Sequence, residues 1–154
     1  MNEPSKVIVF QLNEEQYGVD IQQVLSIEKL TEITKVPKTS DFIKGIINIR
    51  GEITPIIDLK DRLQIGETEY TNDTRVLIVQ LKDIQVGLIV DTASDVIDIS
   101  DASIDPPPKV IGGVSDNFII GVAKLTERLL ILLDLEHVLN LDEMNEIKSV
   151  TDEA

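Results

Sequence analysis

Cysteine and tryptophan are absent from the 154 residues, histidine occurs once, and aromatic residues make up only 3%. Without cysteine there is no disulfide, no thiolate metal ligand and no thiol nucleophile. One histidine cannot build a multi-histidine zinc site. With so few aromatics, the core must be aliphatic. Long apolar stretches are missing too. The longest uninterrupted run, Leu129 to Leu133, is far too short to span a bilayer. The start of the chain, Met1-Asn-Glu-Pro-Ser-Lys6, has neither a basic run nor an apolar stretch, so no signal peptide is expected. Basic residues are scarce, 14 Lys+Arg against 28 Asp+Glu, for a net charge of −14. That balance argues against binding a nucleic-acid backbone or an anionic membrane surface, both of which need clustered cations. The expectation is a soluble, cytoplasmic, acidic domain.

Aliphatic residues are what the chain has in quantity. Hydrophobic residues reach 42%, enough for a packed core in about one domain. They are largely β-branched and fall in short runs. Lys6 to Leu12 reads as a strand, 13–16 as a turn and 17–21 as the returning strand; 24–30 reads as a third. Ile43 to Ile49 and Ile53 to Ile57 form a second hairpin around Arg50-Gly51, where glycine supplies the positive φ of a tight turn. Asp58 is placed to cap a short helix running to Leu63. A polar segment over 64–75 precedes a new strand at Val76 to Leu81.

The chain repeats itself. A shift of 69 residues superimposes Val7 on Val76, Gln11 on Gln80, Leu12 on Leu81, Gln16 on Gln85 and Gly18 on Gly87, with Ile27 opposite Val96. A shift of 76 superimposes Phe42-Ile43-x-Gly45 on Phe118-Ile119-x-Gly121, and Asp58-Leu59 on Asp134-Leu135. The difference is an insertion around Pro106-Pro107-Pro108 and Gly112-Gly113. This is a tandem duplication of a five-strand unit. A unit of about sixty residues buries too little surface to be stable alone, so the halves should share one core. Small five-stranded units hide their edges by closing into barrels. The expectation is an all-β fold with short helices. Its two pseudo-symmetric barrels span roughly 7–63 and 76–139, joined by a 64–75 linker. The spacing of Leu141, Met144, Ile147 and Val150 adds a C-terminal helix over about 141–152.

Catalytic templates are missing: the sequence contains no G-x-S-x-G, G-x-G-x-x-G, G-x-x-x-x-G-K-[ST] or H-E-x-x-H. His137 reads as a solvent-facing helical residue. The series Asp91, Asp95, Asp98, Asp101 and Asp105 lacks the ligand alternation of a calcium loop and reads as a solvated acidic face. Neither a catalytic residue, nor a metal, nor a cofactor is expected. The clearest difference between the halves is Asn48-Ile-Arg50-Gly51 against Lys124-Leu-Thr126-Glu127. The duplicated scaffold does not demand Arg50, which leaves its forked guanidinium available for a partner.

The run Phe42-Ile-Lys-Gly-Ile-Ile-Asn-Ile-Arg-Gly-Glu-Ile-Thr-Pro-Ile-Ile-Asp-Leu59 closely resembles the signature of the CheW-like domain family of bacterial chemotaxis coupling proteins. Tyr17-Gly-Val-Asp-Ile-x-x-Val24 and Val86-Gly-Leu-Ile-Val-Asp-x-x-Ser-Asp-Val96 carry the same resemblance, which extends over roughly residues 5–140. It implies two five-stranded SH3-like barrels and no enzymatic activity. It also implies an adaptor that bridges the cytoplasmic tips of chemoreceptors to the histidine kinase CheA. Carried over by position, it puts receptor contacts at Val24, Ile27, Asn48, Ile49, Arg50 and Gly51. Kinase contacts fall at Lys44, Gly45, Val96, Pro108, Val110 and Ile111. The chain departs from the pattern at Ser26, where an acidic residue is common (Glu28 is nearby), and at Asp105 and Val110, where a basic and an aromatic residue are usual. Two rivals stand beside this reading. A small hydrolase using paired aspartates predicts a deep polar pocket with converging carboxylates. A CheW-like scaffold of a different kinase pathway differs only in partner.

Overall fold

The structure, a computed structural model, describes residues 6–37, 40–111, 114–138 and 145–146. Among the described residues the strands are β1 (Lys6–Leu12), β2 (Glu15–Asp20), β3 (Val24–Lys29), β4 (Ile43–Ile49), β5 (Glu52–Asp58), β6 (Arg75–Leu81), β7 (Ile84–Val90), β8 (Thr92–Asp98), β9 (Ile104–Asp105), β10 (Val110–Ile111), β11 (Val114–Ser115), β12 (Ile119–Lys124) and β13 (Leu129–Leu133). Two single-turn helices, α1 (Leu59–Arg62) and α2 (Leu135–Val138), follow β5 and β13. The side chain of Asp58 accepts from the Lys60 N–H and caps α1, as expected. The expected C-terminal helix lies outside the described residues, apart from Asn145 and Glu146, which are helical. There the Glu146 carboxylate accepts from the Ser40 N–H at 2.6 Å and the Ser40 hydroxyl at 2.7 Å.

One sheet has the order β8-β1-β2-β13-β12-β9 and the other β3-β6-β7-β5-β4. The shift of 69 carries β1, β2 and β3 onto β6, β7 and β8, and the shift of 76 carries β4 and β5 onto β12 and β13. Under those shifts β8-β1-β2-β13-β12 and β3-β6-β7-β5-β4 are one arrangement occurring twice. These are the two pseudo-symmetric, five-stranded SH3-like barrels, called here the first (containing β1) and the second (containing β6).

The division at 64–75 into barrels of 7–63 and 76–139 needs correction. Each barrel takes its leading hairpin from one half of the chain and its closing hairpin from the other. The hairpin β1–β2 joins β13 in parallel, Tyr17 opposite Ile131 and Gly18 opposite Leu132. The hairpin β6–β7 joins β5 in the same way, Gly87 opposite Ile56 and Leu88 opposite Ile57. The physical reason is cover for two faces. Val7 and Val9 of β1 point into the first barrel with Leu130 and Leu132, while Ile8, Phe10 and Leu12 point into a core shared by both barrels. On β6, Val76 and Ile78 fill the second barrel with Ile56, and Leu77, Val79 and Leu81 enter the shared core. A strand buried on both faces reads as a continuous apolar run, as both of these do.

Candidate functional site

The β4–β5 hairpin closes at Ile49 opposite Glu52, leaving Arg50 and Gly51 as a two-residue turn with φ of 54° and 88°. Positive φ at both central positions defines the turn that matches strand twist. Glycine tolerates it freely, whereas arginine adopts it at a steric cost. The Gly51 N–H donates to Asn48 Oδ1 at 2.8 Å, and Arg50 Nη2 donates to Glu28 Oε2 at 3.2 Å. Arg50 thus reaches from the turn to β3, with a side chain still 75% exposed. Below it lies a cavity of about 220 Å³, lined among others by Leu25, Ser26, Ile49, Glu52 and Ile78. The acidic partner of Arg50 is therefore Glu28, two residues along the strand from Ser26.

A bulge between Val24 and Ser26 sets the facing of β3. Val24 lies opposite Val79 and Ile27 opposite Leu77, both shared-core residues, so the bulge returns Val24 and Ile27 to one face. Ser26 and Glu28, opposite Ile78 and Val76, face the second barrel's interior side. Val24 is partly buried against the shared core, while Ile27 stands at its margin, 43% exposed. The counterpart strand repeats this design. On β8, Ala93 lies opposite Phe10 and Val96 opposite Ile8, and Val96 is 50% exposed. A second matched pair is Ile53 and Leu129, 41% and 55% exposed. With Leu25 and Tyr70, these four are the large hydrophobic residues exposed among the described ones. Sequence reading missed Leu25, Ile53 and Leu129. Comparison of the halves could have found the Ile53–Leu129 pair, since the shift of 76 superimposes two apolar residues directly after each turn.

The expected receptor set thus gathers on β3 and the β4–β5 turn, with Asn48 and Gly51 exposed and Ile49 partly so. The expected kinase set is dispersed over both barrels. Val96 lies on β8 of the first barrel at the position matching Ile27, not beside Lys44 and Gly45 on β4 of the second. Lys44 is only partly exposed, and its Nζ pairs with Asp61 at 3.0 Å. Burial alone would lower its pKa, but the hydrogen bond and charge of Asp61, with Glu67 and Asp58 beyond, hold it above the usual lysine value. Gly45, next to Lys44 on β4, is a close-packed backbone position. It is buried with φ 145°, and a Cβ there would meet the Thr34 carbonyl oxygen at 2.2 Å. Pro108 is exposed in the connector after β9. Val110 and Ile111 form β10, paired with Val114–Ser115.

Among the described residues, the polar groups do not assemble into a reaction centre of the kind the hydrolase reading requires. A cleft of about 470 Å³ is lined by Asn13, Lys60, Glu67, Glu69, Asp73 and Asp91, among others, and is open rather than deep. The charge buried at its base is already matched: Lys60 Nζ donates to Asp91 Oδ2 at 3.1 Å and Asn13 Oδ1 at 3.2 Å. The aspartate series is spread out, with Asp98 beside Lys6 at 3.6 Å and Asp105 beside Lys124 at 3.0 Å. His137 is largely exposed and bonded to Asp134. Among the described residues no cluster of three or more His, Asp or Glu could hold a metal ion, and no helix is long and apolar enough to cross a membrane.

Two fused SH3-like barrels, exposing apolar residues at matched places and differing at the turn position that holds Arg50 in one and Thr126 in the other, define a double-barrel module of the scaffold type. The model of the CheW-like domain family matches residues 6–143. The chemotaxis protein CheW of Bacillus subtilis (strain 168) is 40% identical over 149 residues, covering 97% of this chain and 94% of that protein. The chemotaxis protein CheW of Klebsiella aerogenes is 36% identical, covering 93% of this chain and 86% of that protein. The crystal structure of the scaffolding protein TtCheW from Thermoanaerobacter tengcongensis superimposes with a TM-score of 0.82 at 41% identity, covering 93% of this chain and 92% of that one. The chain belongs to the CheW-like domain family.

Proposed function

We propose that this chain is a cytoplasmic, non-enzymatic chemotaxis adaptor that couples the cytoplasmic tips of chemoreceptors to the histidine kinase CheA. The observation that carries the reading is where its exposed apolar residues stand. Ile27 stands on β3 at the margin of the shared core, 43% exposed, and Arg50 reaches from the β4–β5 turn to Glu28 on the same strand. An apolar margin with a polar rim suits a helical hairpin tip, whose apolar face it would cover while Arg50 sets orientation. In this reading Val24 forms the floor, Ile27 the margin, and Asn48, Ile49, Arg50 and Gly51 the rim. The pairing of Arg50 with Glu28 presents the guanidinium partly neutralised, leaving its remaining donors for a partner carboxylate or carbonyl. The kinase contacts belong on other barrel surfaces, near Lys44, Val96 and the Pro108–Ile111 stretch. A module built from similar barrels can be met there head to tail.

The test is a ternary reconstitution from a receptor cytoplasmic fragment, CheA and this chain. The wild-type chain should raise kinase activity and be retained with both partners. Arg50→Glu should lose the receptor while staying folded and still binding CheA. Full coupling by the charge-reversed chain would remove Arg50 from the interface. Absence of coupling by the wild-type chain would assign the scaffold to another kinase pathway.

A further inference from the structure

Phe42 and Phe118 are counterparts under the shift of 76. Each precedes the first strand of a closing hairpin, and each carbonyl accepts from the N–H of the matching aspartate, Asp58 or Asp134, at 2.8 Å. One ring belongs to each barrel, and both rings pack against the shared core. Arg62 stands between them. Its guanidinium carbon lies 5.5 Å from the centroid of Phe42 and 5.0 Å from that of Phe118. The counterpart of Arg62 is Val138, a buried shared-core residue, so the pseudo-symmetry is broken here: one cation serves two equivalent rings. The same helix makes a second crossing. Lys60, whose counterpart is the exposed Glu136, reaches Asn13 in the β1–β2 turn of the first barrel. Helix α1 hangs from β5 of the second barrel and so grips the first at two points.

We propose that α1 is the joint that fixes the angle between the two barrels, with Arg62 as its pin. The shared aliphatic core draws the barrels together, but apolar burial is non-directional and does not by itself select one rotation. A planar guanidinium lying within about 6 Å of two ring centroids is directional on both sides. That double contact exists at one relative setting of the rings, hence of the barrels that carry them. Lys60 adds a contact away from the pin, and two separated contacts resist rotation where one would allow pivoting. The joint keeps the surfaces of the two barrels in a constant mutual orientation.

The native absence of cysteine makes the test direct, because an introduced pair is the only labelling site. Glu52→Cys and Arg128→Cys place spin labels at matched, exposed positions where each closing hairpin leaves its turn, one on each barrel, and pulsed dipolar spectroscopy of the full chain reads their separation. The parent should give one narrow distance distribution. Arg62→Met keeps an unbranched side chain without the charge, and should broaden or shift that distribution. Adding Lys60→Met should broaden it further. An Arg62→Met distribution superimposable on that of the parent overturns the proposal. Should Arg62→Met fail to fold, Phe118→Leu removes one ring while retaining Arg62 and decides in the same way: a broadened distribution supports the joint, and an unchanged one refutes it.

Discussion

Gly18 and Gly87 occupy the same place in the two barrels, yet the space around them differs. A Cβ on Gly87 would lie 2.6 Å from Ile56 Cδ1 and 2.8 Å from Val76 Cγ1, whereas on Gly18 the nearest atom is Leu130 Cδ2 at 3.1 Å. Ile56 and Val76 are fixed in the second barrel's small interior, so they have little room to yield. Gly87→Ala should therefore cost about 1–3 kcal/mol, the usual range for overpacking, and Gly18→Ala clearly less. Urea unfolding at an unchanged m-value measures both. Equal losses would mean that the barrels are packed alike.

Much of this fold is legible in the residues. The β-branched runs mark β1, β4 and β6 to within a residue, and Asp58 announces its helix because a carboxylate at that position satisfies an N–H that the helix leaves free. Which barrel each hairpin joins is not legible. Val7 and Val76, Gly18 and Gly87 present the same pattern in both halves, so a hairpin matches either closing hairpin equally, and only three-dimensional cover decides. The candidate site was half visible. Arg50 stood out as a difference between the halves. The common face of Val24 and Ile27 depends on a bulge, which inserts a residue without leaving a mark in composition. The close backbone approach that Gly45 permits is not legible either, because a glycine needed for it looks the same in sequence as one in an open turn.

Tyr17 stacks on Phe10 with ring centroids 5.9 Å apart, and its buried hydroxyl has no hydrogen-bond partner among the described residues. Burial, with a smaller contribution from the Glu15 charge, pushes its pKa up to about 12 from 10.0. The unfolded chain therefore releases this proton at lower pH than the native one does. Over that window the unfolded state holds fewer protons, so stability falls as pH rises. The contribution should be flat below about pH 10 and decline by about 1.4 kcal/mol per pH unit above it. Tyr17→Phe should abolish that decline and add about 1 kcal/mol at neutral pH by removing an unmatched buried hydroxyl. Denaturant titrations of both chains from neutral pH to about pH 11 isolate the effect, because the remaining titrating groups are common to the two. Parallel curves would show that the hydroxyl is solvated in the native protein.

Asp58 and Asp134 are repeat counterparts with unequal duties. The Asp58 carboxylate is buried and accepts from the Lys60 N–H at 3.1 Å, the Thr68 N–H at 2.8 Å and the Thr68 hydroxyl at 2.8 Å. It caps α1 and ties down the segment after it. The Asp134 side chain pairs with the exposed His137. Asp58→Ala should cost about 2–3 kcal/mol, the loss of a cap plus unmatched buried donors, against about 1 kcal/mol for Asp134→Ala. Limited proteolysis gives an independent reading: cleavage over residues 64–74 should appear in Asp58→Ala and not in Asp134→Ala.

Arg50 separates what the scaffold wants from what the proposed function wants. Its φ of 54° at the first position of the turn suits asparagine better than arginine. Arg50→Asn should relieve about 1 kcal/mol of backbone strain. It gives up the ion pair with Glu28, which is worth no more than about 1 kcal/mol at so exposed a site. The net expectation is a stability between unchanged and about 1 kcal/mol higher. Affinity for the receptor fragment should nevertheless fall about tenfold or more, since an arginine lost from a docking surface commonly costs over 1 kcal/mol. A variant that folds at least as well and binds less well identifies a side chain kept for its partner. If Arg50→Asn unfolds more easily and binds as before, the guanidinium serves the turn, and the docking rim must be sought elsewhere on the barrels.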